Sequence, residues 1–342
     1  MTAIDNETRI HLGRQGPAEV APLGLGCMGM SPIYGPSDEA ESIATLHAAI
    51  DAGINLIDTG DFYGSGHNEA LLGSALQGRR DQVLLSVKFG ALRTPDGGWG
   101  GVDGRPAAVK NFLAYSLQRL KTDHVDIYRL ARLDPQVPIE DTVGAIADLV
   151  RAGYVRYIGL SEVGAETVAR AHRVHPIADL QIEYSLLSRG PEASIFPKLR
   201  ELGVGITAYG VLSRGVLSGS RPAVTGDYRA HYPRFVGANW EANQRLVHRL
   251  AEVATALGTT APEVAIGWAM TKMRQFGLDA VTLVGARTRV QLGQALSACN
   301  LHLTDDAIAR IEAAVPAGSA AGARYAPAAM AQLDSERPAP RS

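Results

Sequence analysis

The runs NLIDTG (residues 55–60) and VLLSVKFG (residues 83–90) show the pattern that indicates the fold class. Each run is short and apolar, is rich in branched side chains, and ends where polar or small residues begin. A buried strand of a parallel sheet has this pattern, because helices cover both faces of the sheet. Six further runs of the same kind begin at Leu23, Val125, Val155, Ala178, Gly205 and Val281. The sequence therefore predicts eight strands.

Helix-period stretches lie between most of these runs. In residues 38–53 the apolar side chains fall on one face, with Ser37 as the predicted N-cap and Gly53 as the C-terminal stop. Residues 139–153 repeat this pattern and end at Gly153. Alternating buried strands and helices indicate a parallel sheet covered by helices. Eight such units favour closure into a (β/α)8 TIM barrel over an open doubly wound sheet.

The remaining segments extend this α/β barrel without adding a second domain. The predicted parts of a single domain (residues 1–342) are an N-terminal β-hairpin at about 8–22, the barrel at about 23–318 and a C-terminal tail at about 319–342. The tail is rich in Ala, Pro and Gly, so it either lies over the barrel or is mobile. Residues 218–275 are too long for one βα unit, and we expect a loop and two extra helices there, before strand eight.

Composition excludes several classes of function. The 33 Lys and Arg residues nearly balance the 35 Asp and Glu residues and are interspersed with them, which argues against nucleic-acid and membrane partners. Two distant cysteines, Cys27 and Cys299, indicate neither a disulfide framework nor a metal site. The polar start and the lack of a long apolar run predict a cytoplasmic protein. Nothing in the sequence indicates an oligomeric state.

Gly24, Gly26 and Gly29 form a G-x-G-x-x-G pattern at the first predicted strand. A dinucleotide-binding Rossmann unit requires a helix directly after such a strand. Here the stretch MSPIYGPSD, with two prolines, delays the helix. We therefore interpret the glycines as part of a first barrel strand and not as a Rossmann motif.

Three polar residues point to chemistry at the strand ends. Asp58 and Lys88 end neighbouring strands, and Tyr63 lies in the loop after the first of them. In barrel enzymes the catalytic groups come from these ends, which converge on one face. Taken singly, each residue also fits a structural role, as a cap, a packing residue or a solvated lysine. Together they suit proton donation to a carbonyl oxygen while hydride reaches its carbon.

The expected electrostatics support this interpretation. A lysine cation about 4 Å from the phenol would lower the tyrosine pKa by up to about three units, while burial would raise it. We expect a Tyr63 pKa between about 7 and 9, with Asp58 as the counter-charge of Lys88. A competing class, a barrel enzyme that forms a Schiff base at Lys88, remains open at this point.

Several ordered motifs carry a family resemblance over essentially the whole chain. They are DTGDFYGSGHNEALLG (58–73), SVKFG (86–90), GYVRYIGLSE (153–162), LQIEYSLLSR (180–189), TAYGVLSRGVLSG (207–219) and VGARTRVQL (284–292). At these residues the chain resembles the aldo-keto reductases. The resemblance implies a barrel that binds NADPH without a Rossmann domain. It also implies reversible reduction of a small aldehyde or ketone, with Tyr63 as general acid assisted by Lys88 and Asp58.

The resemblance also implies the cofactor residues. They are Asp58, Ser161 and Gln181 near the nicotinamide carboxamide, Tyr209 stacking on its ring, Gly210, Val211, Leu212, Ser213, Arg214, Gly215 and Leu217 in the pyrophosphate loop, and Gly285, Ala286, Arg287, Gln291 and Gln294 around the adenosine. Arginine at position 287 favours NADPH over NADH, because a guanidinium can fork onto the 2′-phosphate.

The chain departs from the family pattern at three positions. In the stretch VDIYRLARLDP (125–135), Ala131 stands where the family has the fourth tetrad residue, a histidine that donates to the carbonyl oxygen. Loss of one such donor typically lowers the rate by about 10² to 10³. Glu162 replaces the asparagine that usually follows Ser161, and Ala295 replaces an asparagine that faces adenine.

Three explanations of Ala131 remain open. It is a natural variant with a roomier substrate site, an engineered substitution, or a position whose role another side chain has taken, with Arg129 and Arg132 nearby. A structural role suits these arginines too, namely an interior salt bridge for Arg129 and a solvated loop for Arg132.

Loops after the strands supply the expected substrate contacts. These are Ile33, Tyr34, Trp99, Ala131 and Tyr232. Two alternatives to carbonyl reduction remain open. One is an auxiliary or sensor subunit that binds NADPH with weak catalysis, and the other is an enone double-bond reductase, since replacement of the histidine has changed the reaction type elsewhere in the family.

Overall fold

The computed structural model describes residues 4–222 and 226–337. Ten strands are present in this part of the chain: β1 (Leu23–Gly26), β2 (Leu56–Gly60), β3 (Leu84–Phe89), β4 (Ala91–Arg93), β5 (Trp99–Val102), β6 (Val125–Leu130), β7 (Val155–Ser161), β8 (Ile177–Glu183), β9 (Gly205–Tyr209) and β10 (Ala280–Gly285). All except β4 and β5 are parallel and pair in chain order, and β1 also pairs with β10 to close the barrel. The predicted (β/α)8 barrel is confirmed.

Helices surround this barrel. They are α1 (Glu39–Asp51), α2 (His67–Ala75), α3 (Pro106–Leu120), α4 (Ile139–Arg151), α5 (Ala165–Val174), α6 (Ile195–Leu202), α7 (Gly237–Ala256), α8 (Ala261–Gln275), α9 (Arg289–Cys299), α10 (Asp305–Ala314) and α11 (Pro327–Met330). The two extra helices expected before the eighth barrel strand are α7 and α8. A capping box between Thr260 and Glu263 begins α8. The predicted N-cap of α1 is wrong by one residue, because Asp38, not Ser37, accepts from the Glu41 N–H.

The hairpin predicted at residues 8–22 is reduced to a single antiparallel bridge between Ile10 and Val20. The regular hairpin lies elsewhere, between β4 and β5 directly after β3. The N-terminal segment instead plugs the bottom of the barrel, where Leu12 packs in a buried apolar cluster. The physical reason is that this segment gains more by burying Leu12 and Val20 than by forming a two-stranded ribbon.

Charged side chains fill the middle of the barrel. Arg129 on β6 donates to Asp179 on β8 and to Ser86 on β3, both at 3.0 Å. Thr207 on β9 donates to the same Asp179 carboxylate. Arg129 and Asp179 are fully buried, so the interior salt bridge expected for Arg129 is confirmed. Since β3, β6, β8 and β9 all contribute, this network links the two halves of the barrel.

Neither a membrane-spanning segment nor a metal cluster is found within residues 4–222 and 226–337. No helix there is both long and apolar enough to cross a bilayer. No group of three or more His, Cys, Asp or Glu side chains there is arranged to hold a metal ion.

We expect Arg129→Met and Asp179→Asn each to lower the free energy of unfolding by about 3–5 kcal/mol, because each leaves an unpaired buried charge. The double variant should recover much of this loss. Urea unfolding monitored by circular dichroism measures the three values. Arg173→Gln is the control, since its ion pair with Glu166 is exposed and long at 3.8 Å. Single variants no less stable than this control would contradict the prediction.

Candidate active site

The predicted catalytic residues meet at the carboxyl end of the barrel. Lys88 of β3 donates to one oxygen of Asp58 in β2. The other Asp58 oxygen accepts from Ser86 Oγ and from Gln181 Nε2, both at 2.8 Å. Every one of these side chains is buried. The structure therefore brings Asp58, Lys88 and Gln181 into one hydrogen-bonded group.

Tyr63 lies directly above this group. It begins a short 3₁₀ turn, Tyr63–Gly66, in which Gly64, Ser65 and Gly66 have positive φ angles. Such a turn is left-handed and tight. It holds the side chain of Tyr63, the first residue of the turn, in the barrel mouth. The Lys88 Nζ lies 5.2 Å from the centroid of the Tyr63 ring. The phenol is only 8% exposed.

The expectation for the tyrosine pKa is wrong. Burial raises the pKa of Tyr63 well above its ordinary value, and the negative charge of Asp58 adds to this effect. Burial also lowers the pKa of Lys88, while Asp58 acts to raise it again. The lysine charge is thus largely compensated by the aspartate beside it, and desolvation decides the result. Burial and the charge of Asp58 thus favour the neutral phenol form of Tyr63.

The predicted carboxamide and ring contacts lie on three neighbouring strands, near their carboxyl ends. Ser161 of β7 pairs in register with Gln181 of β8, and Tyr209 is the last residue of β9. The Tyr209 hydroxyl donates to Glu162 Oε1 at 2.7 Å. Glu162, which replaces the usual asparagine, has a positive φ of 55°. The structure therefore gathers these residues at the mouth, but with Glu162 as an additional carboxylate among them.

The predicted pyrophosphate loop forms a left-handed turn after β9. Ser213, Arg214 and Gly215 have consecutive positive φ angles of 48°, 55° and 98°. Backbone N–H groups in such turns can converge on an anion. The side chains of Val211, Ser213 and Leu217 are buried, and the N–H groups of Ser213 and Leu217 donate to the Gly210 and Leu212 carbonyls within the turn.

The predicted adenosine residues lie between β10 and the first turns of α9. Gly285 ends β10, and a Cβ there would meet only one backbone oxygen, at 3.9 Å, so this surface is open. The Arg287 N–H donates to Gln291 Oε1 at 3.0 Å, and its guanidinium reaches two backbone carbonyls at 3.2 Å. Gln294 is exposed, whereas Ala295 is buried in the core. This donor set, with an arginine and a helix N-terminus, suits a phosphate-bearing dinucleotide.

The predicted substrate residues do not all come together. Tyr34 and Tyr232 are near the mouth, since Tyr34 contacts Arg229 and Tyr232 contacts Arg214 through their rings. Ile33 is partly buried in the same loop. Trp99 is 42% exposed on the β4–β5 hairpin, paired across the strands with Arg93. Ala131 directly follows β6 and is 1% exposed.

Sequence reasoning missed the residues that cover Ala131. Arg132, expected in a solvated loop, is partly buried and donates to the Ala131 carbonyl at 2.6 Å and to the Tyr325 hydroxyl at 3.1 Å. Tyr325 belongs to the C-terminal tail, so the tail lies over the barrel mouth as far as it is described. The expectation for Arg132 is therefore wrong, because a segment nearly 200 residues later in the chain shields it from solvent.

Asp61 is a second residue that sequence reasoning missed. Its N–H donates to the Lys88 carbonyl at 2.9 Å, but neither carboxylate oxygen has a well-formed hydrogen bond among the described residues. Burial and then the charge of Glu69 raise the pKa of Asp61 to about 8. Its sequence signal was its place in DTGDFYG, between Asp58 and Tyr63. A largely protonated carboxyl thus lies beside the catalytic loop at neutral pH.

Comparison with known proteins identifies the family and the fold. A model of the aldo/keto reductase family matches residues 22–316. The glycerol dehydrogenase from Gluconobacter oxydans has a similar structure, with a TM-score of 0.80, 23% identity and 99% of each chain covered. The structure of an aldo-keto reductase from Bacillus halodurans in its holo form is also similar, with a TM-score of 0.75 and 28% identity. The match covers 91% of this chain and 97% of that one. An aldo/keto reductase from Klebsiella pneumoniae, in complex with NADP and acetate, has a TM-score of 0.71 and 24% identity. The match covers 93% of this chain and 99% of that one.

The buried carboxyl of Asp61 predicts a pH-dependent loss of stability. Its pKa is raised from 3.8 in the unfolded chain to about 8, so its contribution is fully present below pH 3.8 and is lost as the pH rises to about 8. The Asp61→Asn variant has no titrating carboxyl at this position, so it does not lose this stability as the pH rises. The unfolding free energy of the variant minus that of the parent should therefore increase between about pH 5 and about pH 9, measured by urea unfolding. Asp51→Asn, at an exposed carboxylate, is the control, and an equally flat difference for both would contradict the prediction.

Proposed function

The chain belongs to the aldo/keto reductase family, and we propose that it reduces a small aldehyde or ketone to the alcohol, reversibly, with NADPH as the reductant. NADPH supplies the hydride when it is bound. The observation that carries this proposal is the neutral Tyr63 phenol above the buried Lys88–Asp58 pair. A proton donor beside a compensated cation is what reduction of a polarised carbonyl requires.

In this proposal Tyr63 gives its proton to the carbonyl oxygen as negative charge develops there. An alkoxide is more basic than a phenolate, so the transfer is favourable even from a phenol of raised pKa. The positive charge of Lys88 stabilises the tyrosinate that remains. Asp58 keeps Lys88 charged, and Ser86 and Gln181 hold the aspartate in place.

We assign the cofactor to the arc of residues from β7 to α9. Ser161 and Gln181 hold the carboxamide, Tyr209 stacks on the ring, and the Gly210–Leu217 turn receives the pyrophosphate. Arg287 is proposed to bind the 2′-phosphate. Its guanidinium has no carboxylate partner among the described side chains, whereas the neighbouring Arg289 is already paired with Glu41 at 2.8 Å. This contrast supports a preference for NADPH.

We further propose that Arg132 takes the role of the missing histidine. Its Nη1 bonds to the carbonyl of Ala131 itself, and its Nη2 donates to a phenol oxygen in the mouth. Burial raises the pKa of Tyr63, and the charge of Arg132 opposes part of this rise. A cationic donor at this place can hold the substrate oxygen within reach of Tyr63. Of the three explanations for Ala131, this geometry favours replacement by another side chain.

Turnover of NADPH in the presence of a reactive aromatic aldehyde tests the proposal. We expect the parent chain to oxidise NADPH and Tyr63→Phe to be slower by about 10² to 10⁴, with an NADPH Kd changed less than about twofold. The rate is followed by the loss of NADPH absorbance, and the Kd by NADPH fluorescence. Tight binding without turnover of any carbonyl would favour the auxiliary-subunit alternative. Reduction of the double bond of an enone with its carbonyl intact would favour the alternative of an enone double-bond reductase.

Two substitutions at the end of β6 test the role of Arg132. Arg132→Met should lower kcat/KM by about 10² to 10³, because it removes a donor to the developing charge. Ala131→His should not raise turnover, because in this proposal Arg132 at the neighbouring position already supplies the donor that the histidine would add. Steady-state kinetics measure both, with Arg173→Gln on the opposite end of the barrel as control. A rise of about 10² with histidine would instead show that the alanine is a lost donor.

A further inference from the structure

The segment after α10 crosses the mouth of the barrel and is tied down at both ends. Residues 321–337, the C-terminal segment, form the described part of this crossing. At one end the Ala321 N–H donates to Asn243 Oδ1 of α7 at 2.8 Å. At the other end Asp334 accepts from the Gly164 N–H at 2.8 Å and from Thr167 Oγ1 of α5 at 2.6 Å. Between these anchors the segment lies above the ends of β7, β8 and β9.

Arg324 inserts a cation from this segment between two buried carboxylates. Its guanidinium forks onto Glu162, with Nη1 at 2.9 Å from Oε1, and reaches Glu183 at 3.4 Å. Arg324 is only 5% exposed, and both glutamates are buried. Although burial opposes ionisation, Arg324 holds the pKa of Glu162 well below its usual range. This is a built site for Arg324 and not a surface ion pair.

Tyr325 fills the space beside Arg324. Its hydroxyl lies 3.0 Å from the hydroxyl of Tyr209 and accepts from Arg132 at 3.1 Å. The Arg214 guanidinium lies 4.4 Å from the centroid of its ring. Arg214 also donates to the carbonyl of Arg324 at 3.2 Å. Two residues of the C-terminal segment therefore engage Tyr209, Arg214 and Arg132, which the proposed function assigns to the nicotinamide, the pyrophosphate and the substrate oxygen.

We propose that the C-terminal segment is a latch that competes with the cofactor, an inference that rests on the proposed function. With Arg324 and Tyr325 seated, the Tyr209 hydroxyl and the Arg214 guanidinium are occupied, and in this proposal NADPH binds only after the pair has left the mouth. Glu162 then has a clear role. A glutamate is uncommon at a positive φ, where asparagine is readily tolerated, but only a carboxylate can fix the guanidinium of Arg324. The departure from the family pattern at this position thus follows from the latch.

A latch of this kind has a kinetic signature. If only the open form binds NADPH, the apparent Kd exceeds the intrinsic Kd by the inverse of the open fraction. The observed association rate also levels off at high NADPH concentration, where opening of the latch limits it. Displacement of the segment would leave its backbone amides more exposed to solvent in the NADPH complex than in the free protein.

The double variant Glu162→Gln, Arg324→Gln tests the latch. It removes both charges together, so neither position keeps a buried charge that has lost its partner. We expect its NADPH Kd to fall by about tenfold or more and its association rate to rise linearly with NADPH. Fluorescence titration and stopped-flow mixing measure these values, and circular dichroism verifies the fold. Arg337→Gln is the matched control, since this half-exposed arginine of the same segment contacts Asp334 at 3.6 Å and not the mouth.

Hydrogen exchange of the unmodified chain provides an independent readout. Peptides covering residues 321–337 should exchange faster with NADPH than without it. Slower exchange there, or weaker NADPH binding by the double variant, would show that the segment is part of the bound cofactor's site and would overturn the latch. Equal Kd values for the parent and the double variant would overturn it too, while leaving the proposed function intact. Failure of both chains to bind NADPH would overturn the cofactor assignment itself.

Discussion

The buried ion pair of Lys88 and Asp58 links the strands at the carboxyl end of the barrel. Asp58 also accepts from Ser86 and Gln181, so one carboxylate links side chains of β2, β3 and β8. An unpaired charge inside a barrel costs several kcal/mol, and each of these groups is therefore confined to contact distance from its partner. Tyr63 packs above the pair, and burial, followed by the charge of Asp58, raises the pKa of its phenol.

The same requirement explains the cluster at the mouth. Glu183 is buried, and it is compensated by Arg214 at 2.8 Å, by Arg324 at 3.4 Å and by Arg234 at 3.6 Å. Glu162 shares Arg324 with it. Two buried carboxylates need cations from outside the barrel strands, and the chain provides them from loops and from the C-terminal segment. Ion pairs to these two carboxylates therefore hold Arg214, Arg234 and Arg324 at the mouth.

Expectations drawn from local patterns largely hold. The strand runs, the helices α7 and α8 and the gathering of Asp58, Lys88 and Gln181 at one end agree with the structure, because parallel strands of a barrel place their carboxyl ends together. The hairpin expected at residues 8–22 is instead a plug with one bridge, since apolar burial beneath the barrel outweighs local pairing. The Tyr63 pKa lies above the expected range because desolvation outweighs the lysine charge, and the negative charge of Asp58 adds to the rise instead of only balancing Lys88.

Periodicity and motifs within short stretches of chain are enough to predict the barrel, the family and most of the residues at the mouth. The surroundings of Ala131 and Glu162, in contrast, depend on how distant parts of the chain pack. Arg324 lies 162 residues from Glu162, and Tyr325 lies 193 residues from Arg132. Nothing in the local pattern near any of these residues encodes such a pairing. It arises because a buried carboxylate must find a cation wherever the folded chain brings one within reach.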